Sequence, residues 1–194
     1  MTFFESLLAK DARYSNQLRL EPKKNMTWWI AVFFAHSGDS WFWVLGLGLI
    51  WLFGNPEWHD KSMILAISIV LQALIVFAIK FSIKRRRPEG EWGDIYRKTD
   101  PHSFPSGHAT RAFLLVAMGI GLGPAWFGWM LVVWAPLVCL ARIMLGVHYI
   151  SDILAGMLLG LSFGWIMLQI YPHIARTFPF LFLPIAEYLK FFGY

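Results

Sequence analysis

His148 and Asp152 stand four residues apart at the head of a long apolar run, so on a helix they share one face. A carboxylate placed there accepts one ring N–H and leaves the other nitrogen as a free lone pair, an oriented nucleophile or base. Alone, such a pair is as readily an ordinary helix-end contact. Pro105-Ser106-Gly107-His108 opens a second apolar run. Ser106 fits a helix N-cap, the free amides behind it suit an anion, and Gly107 admits a ligand close to the backbone, although a bare cap has the same residues. His108 stands next to that anion site, where an imidazolium can protonate a departing oxygen. Lys80 and Arg87 are seven residues apart, two helical turns, and face one location. Arg87 suits bidentate phosphate contacts and Lys80 supplies a point charge. Gly146 allows a sharp turn that brings Arg142 back over His148. Lys84, Arg85 and Arg86 read as a membrane-anchoring basic cluster and are left out of the site.

Cations and helix amides around two histidines and one carboxylate, with no second carboxylate or cysteine nearby, fit phosphoryl transfer through a phospho-histidine. His148 attacks phosphorus and His108 protonates the departing alcohol or phosphate. His108 then acts as base for the water that releases the phosphate. No metal and no cofactor enters that scheme.

These groups need elements that deliver them to one place, and the composition says in which solvent. Of 194 residues, 57% are hydrophobic, 18% aromatic and only 15% charged, with 11 Trp and 17 Phe. A core of this size cannot hide so much apolar surface, which excludes a water-soluble domain and makes this an integral membrane protein, expected in the cell (inner) membrane. The one cysteine, Cys139, lies in an apolar run and excludes a disulfide framework or a Cys-rich metal site. The net charge of +5 is held in short interhelical stretches, so lipid head groups and phosphate esters are the expected partners and nucleic acid is not.

The expected fold is an all-α, polytopic transmembrane helical bundle of five to six crossings behind an N-terminal amphipathic interfacial helix. Residues 1–38 make the amphipathic and interfacial segment, 39–172 the transmembrane core, and 173–194 an apolar tail that is a short span or lies at the interface. Phe3, Phe4, Leu7 and Leu8 alternate with Lys10, Arg13 and Arg19 in the first part, and residues 26–36 are apolar but too short to cross. Crossings are expected from Ser40 to about Trp58, over 62–79 with the helix continuing toward Arg87, twice between Arg111 and Arg142 around Gly121, Gly123 and Pro124, and over 153–172. Alternating crossings gather Lys80, Arg87, the loop residues Arg97 and Lys98, Ser106 to His108, Arg142, His148 and Asp152 on one face. Ionisable residues converging at helix ends mark a site. The Glu89–Asp100 loop, with Trp92 and Tyr96, is either a lid or a surface segment.

Lys80-x6-Arg87-Pro88, Pro105-Ser106-Gly107-His108 and Arg142-x5-His148-x3-Asp152, in that order, resemble the three-part signature of the type-2 phosphatidic acid phosphatase superfamily, the lipid phosphate phosphatases. Each piece is weak alone, and the three together over roughly residues 36–170 are specific. The resemblance implies a six-helix-type bundle with His148 as nucleophile, Asp152 as its orienting partner and His108 as general acid. It implies Lys80, Arg87, Ser106, Gly107 and Arg142 as phosphate ligands. The chain departs from the pattern at Ala141, where a Ser before the Arg is usual, and in carrying an amphipathic segment where many members have one more N-terminal helix.

Among the substrates such a family implies, an isoprenoid diphosphate such as undecaprenyl diphosphate comes first, because a small chain without a soluble domain favours entry from the bilayer of a long tail with a compact head. Phosphatidylglycerol phosphate and phosphatidic acid are the alternatives, and a non-catalytic lipid-phosphate-binding protein is the non-enzymatic one. Retention of both His108 and His148 favours turnover, since binding needs only cations. Vanadate-dependent haloperoxidase chemistry and transport are the lesser rivals. Lys10, Arg13, Arg19, Lys23 and Lys24 share the catalytic side if there are five crossings, which by the positive-inside rule turns that side to the cytoplasm.

Overall fold

The computed structural model describes residues 3–21, 25–89 and 100–182, and within them the backbone is almost wholly helical. The helices are α1 (Phe3–Gln17), α2 (Met26–Ser37), α3 (Ser40–Phe53), α4 (Pro56–Ile83), α5 (Gly107–Leu122), α6 (Ala125–Met144) and α7 (Ile150–Thr177), with a 3-10 turn over Pro179–Phe182. Arg97, Lys98, Trp92, Tyr96, Lys23, Lys24 and the tail beyond Phe182 lie outside the described residues.

By length and apolarity α4, α6 and α7 can each cross a membrane, at 28, 20 and 28 residues. Helices α2 and α3 qualify only together, as a pair bent by 56°. Among the described residues that gives three candidate spans, or four with the bent pair, against the five to six expected; α5, apolar but only 16 residues long, falls short of them and is buried along most of its length. Large side chains face outward, among them Phe77 at 61% exposure, Trp129 at 70% and Leu158 at 68%, as lipid solvation requires. Ile64, Leu65 and Ile69 of α4, Leu114, Leu115 and Met118 of α5, Leu131 of α6 and Met167 of α7 form the main core.

Two boundaries differ from the expected ones. Counted as one span, the bent pair begins in α2 and not at Ser40. Trp28, Ala31 and Ala35 pack on Ala141 and Leu145, so α2 descends beside the end of α6, and α3 continues that descent with Trp43 5.1 Å from Trp134. Asn55-Pro56 does not merely stop that crossing. The Asn55 side chain accepts from Trp58 N and Pro56 occupies the first turn, so the pair starts α4. At its other end α4 stops at Ile83, short of Arg87, because Lys84 adopts a left-handed cap at φ 54°. The break expected near Gly123 and Pro124 separates α5 from α6 as anticipated.

Helices α5 and α7 approach more closely than side chains permit. A Cβ on Gly156 would lie 2.7 Å from the Ser106 carbonyl oxygen, and one on Gly160 2.2 Å from that of Thr110. Four-residue glycine spacing thus presses the start of α5 against the start of α7. The Ser106 N–H donates to the Asp152 carbonyl at 3.0 Å across that contact.

Candidate active site

The loop between α6 and α7 places His148. Gly146 takes φ 66°, a left-handed conformation that favours glycine, and the Arg19 side chain packs against it. Val147 N donates to Arg142 O at 3.2 Å, closing the turn over the end of α6. His148 is 1% exposed. Asp152, in the first turn of α7, accepts from Tyr149 N through Oδ2 at 2.9 Å, and the same oxygen lies 3.6 Å from His148 Nδ1. Arg87 Nη1 stands 3.2 Å from His148 Nε2. Arginine can only donate, so Nε2 is the acceptor and the ring proton of the neutral imidazole sits on Nδ1, facing Asp152. Burial, reinforced by Arg87, Arg142 and Lys80, holds the protonation of His148 well below the ordinary histidine range. The result is a neutral, buried imidazole whose lone pair points at cations.

A cavity of about 590 Å³ is shared by Lys80, Gly107, His108 and His148. Arg87 is 2% and Arg142 1% exposed, and both act on His148. Ser106 caps α5, its hydroxyl accepting from Ala109 N at 3.4 Å. All eight residues singled out in the sequence thus gather at one end of the bundle, with Asp152 and Ser106 joined directly. A second, polar cavity of about 500 Å³, bordered by Arg13, Asn16, Arg19 and Tyr149, reaches His148 from the α1 side.

The sequence pattern missed several partners. Arg85 is no anchor: it donates to Asp152 Oδ1 at 2.7 Å, to Ser151 Oγ at 2.6 Å and to Asp11 Oδ2 at 2.7 Å, and lies 4.2 Å from the Tyr149 ring centre. The left-handed Lys84 is what turns the chain so that Arg85 points back toward α7. The site also holds more than one carboxylate. Asp100 accepts from Arg87 Nη2 at 2.7 Å and forms an ion pair with Lys80, while its backbone carbonyl accepts from Arg87 Nε at 2.7 Å. Asp39 Oδ1 lies 2.7 Å from His108 Nε2. Neither could be found by spacing, because Asp39 lies far from the motifs in sequence and Asp100 sits in a loop without a periodic signal. Gln72, on the α4 face below Lys80, borders the same cavity at 1% exposure, and its amide N and O make no hydrogen bond among the described residues.

Residues 61–176 match the PAP2 superfamily. The decaprenylphosphoryl-5-phosphoribose phosphatase of Mycobacterium tuberculosis is 31% identical over 137 residues, 69% of this chain and 74% of that protein. The undecaprenyl-diphosphatase of Sulfolobus acidocaldarius is 28% identical over 73% of this chain and 69% of that one. In fold the chain resembles the transmembrane PAP2-type phosphatidylglycerolphosphate phosphatase of Bacillus subtilis, with a TM-score of 0.67 at 21% identity over 88% of this chain and 89% of that one. LpxE of Aquifex aeolicus aligns with a TM-score of 0.65 at 24% identity, covering 83% and 94%. A membrane-spanning helical bundle with these relatives is a lipid phosphatase, and the chain belongs to the PAP2 superfamily.

Proposed function

We propose that the protein cleaves a phosphate ester or anhydride of a long-chain isoprenoid lipid through a phospho-histidine, with undecaprenyl diphosphate as the leading substrate. The observation that carries the mechanism is the hydrogen bond from Arg87 to His148 Nε2, which specifies a neutral ring with its lone pair among the phosphate-binding cations. His148 Nε2 forms the bond to phosphorus as the bond to the departing oxygen breaks. Lys80, Arg87, Arg142 and the α5 N-terminus at Ser106 and Gly107 take up the charge on the equatorial oxygens. His108 gives its proton to the departing oxygen, then takes one from the water that cleaves the P–N bond. Asp152 orients His148, and no metal takes part.

The isoprenoid reading is supported by the two relatives above, both named for polyprenyl phosphate lipids. A second reading, a polyprenyl-linked sugar phosphate, is favoured by Gln72, whose unpaired donor and acceptor suit hydroxyl groups better than a second phosphate. The test is phosphate release by purified protein in detergent micelles with EDTA present. Undecaprenyl diphosphate, a polyprenylphosphoryl phosphoribose, phosphatidylglycerol phosphate and phosphatidic acid are compared, with His148→Ala alongside. Release that survives EDTA and is lost in His148→Ala is expected, with an acid-labile phosphoryl group trapped on the wild type by rapid quench. Folded wild type that releases phosphate from none of them returns the protein to the lipid-phosphate-binding alternative.

A further inference from the structure

The break between α2 and α3 carries an aspartate that the phosphatase mechanism does not yet use. By position Asp39 is the N-cap of α3, where an aspartate ordinarily accepts from the first free amides of its helix, yet its side chain makes no such bond. The carboxylate is turned to two histidines instead: Oδ1 lies 2.7 Å from His108 Nε2 and Oδ2 3.1 Å from His36 Nδ1. Forgoing a cap that would stabilise α3 needs a compensating role.

The backbone around Asp39 is fastened from the element that bears His108. Arg111, one turn further along α5, donates through Nε to the Gly38 carbonyl at 2.8 Å and also bonds the Ser40 hydroxyl, so the residues on both sides of Asp39 are tied to α5. Trp134 Nε1 donates to Ser37 Oγ at 2.9 Å, and Trp43 Nε1 to the Ser37 carbonyl at 3.1 Å. The turn is pressed against the ring, since a Cβ on Gly38 would stand 3.2 Å from His108 Cδ2. The bend is therefore built to hold one carboxylate in register with one imidazole.

We infer that Asp39 is the positioning residue of the general acid: it accepts the Nε2–H of His108, fixes the ring plane and leaves Nδ1 as the nitrogen that serves the departing oxygen. This rests on the phospho-histidine reading above. His36 secures the other carboxylate oxygen and keeps Asp39 from swinging back to cap α3. As the P–O bond breaks, its electron pair stays on the departing oxygen and the Nδ1 proton of His108 neutralises it. The attacking water later returns a proton to Nδ1, and Asp39 stays a carboxylate throughout. The nucleophile and the acid then each have their own aspartate, Asp152 for His148 and Asp39 for His108.

A leaving group that needs no proton separates this role from a structural one. First-turnover release of dodecanol from dodecyl phosphate, whose alkoxide must be protonated, is compared by rapid quench with that of 4-nitrophenolate from 4-nitrophenyl phosphate in the same micelles, for wild type, Asp39→Asn, Asp39→Glu and His108→Ala. The first turnover reads the step before P–N cleavage alone. Loss of general-acid help costs about 100-fold or more on the alkyl ester. Asp39→Asn should show most of that loss on the first-turnover release of dodecanol and keep the first-turnover release of 4-nitrophenolate near wild type, with Asp39→Glu recovering part of the loss. Adding Asp39→Asn to His108→Ala should cost nothing further. Equal losses on both esters, or additive losses in the double variant, overturn the assignment and leave the phosphatase standing. Folded wild type that hydrolyses neither ester nor any of the four lipids above overturns the phosphatase reading and the assignment together.

Discussion

At the residue scale the governing fact is that His148 is buried among three cations and receives a hydrogen bond only an acceptor nitrogen can take. Its folded protonation lies well below the ordinary 6.5, so as pH falls the unfolded chain binds a proton first. The contribution of this group to stability is thus complete above 6.5 and declines below it, while the imidazole itself stays neutral through that range. Arg142→Gln removes one of the repelling charges and should move the acid limb of kcat/KM upward, toward 6.5, relative to wild type on the same substrate. A limb that stays in place would mean that His148 is not the group being titrated. Asp100 makes a second test. Its carboxylate rests on Lys80 and Arg87, the two cations proposed to hold the substrate phosphate, and on that reading competes with it. Asp100→Asn should tighten competitive inhibition by orthovanadate by about tenfold, roughly 1.4 kcal/mol. Weaker inhibition would show that Asp100 instead holds the cations in place.

At the scale of elements, three helices meet at one guanidinium, that of Arg85. The end of α4 supplies Arg85, α7 supplies Asp152, and α1 supplies Asp11, which also accepts from Ser151 N at 3.1 Å while Ser15 Oγ accepts from Ile150 N at 2.9 Å. Helix α1 is thereby docked on the first turn of α7, using its polar face for the free amides there, while Phe3 and Leu7 stay exposed for the membrane. Arg85→Met strips Asp152, at 0% exposure, of its cationic partner, and breaking a buried pair of this kind costs about 3 kcal/mol. The neighbouring Lys84→Met, at an exposed position, should change little, within about 0.5 kcal/mol. Thermal unfolding in detergent measures both, and equal effects would restore Arg85 to the surface cluster. This contrast also marks how far the sequence reaches. Spacing on a helix made His148 with Asp152 and Lys80 with Arg87 legible, because periodicity fixes which residues share a face. It gave no sign that Lys84 turns left-handed and aims Arg85 inward, nor that the polar His36–Asp39 interruption is a bend in a crossing. Both depend on contacts between elements remote in the chain, which local pattern does not encode.

At the scale of the whole molecule, the two ends of the bundle differ in charge. The end that holds α1, the α4 terminus and the α6–α7 loop carries Lys10, Arg13, Arg19, Lys84, Arg85 and Arg86 besides the phosphate-binding cations. The other end, with the α3–α4 and α5–α6 turns, sets Lys61 against Glu57, with an ion pair of 2.7 Å, and adds Asp60. Counting only the residues outside the proposed phosphate site, the excess of Lys and Arg remains at the site end, for which the positive-inside rule predicts the cytoplasmic side. The single native thiol, Cys139, is buried, so introduced cysteines can report without background. Lys10→Cys, exposed on α1, should resist a membrane-impermeant maleimide in intact cells and react after permeabilisation, while the exposed Glu57→Cys should react at once. The reverse pattern would place phosphate release on the outer side. The cations of the site end would then exist for the phosphate alone, with the basic face of α1 serving anionic substrate arriving from the outer leaflet and not membrane topology.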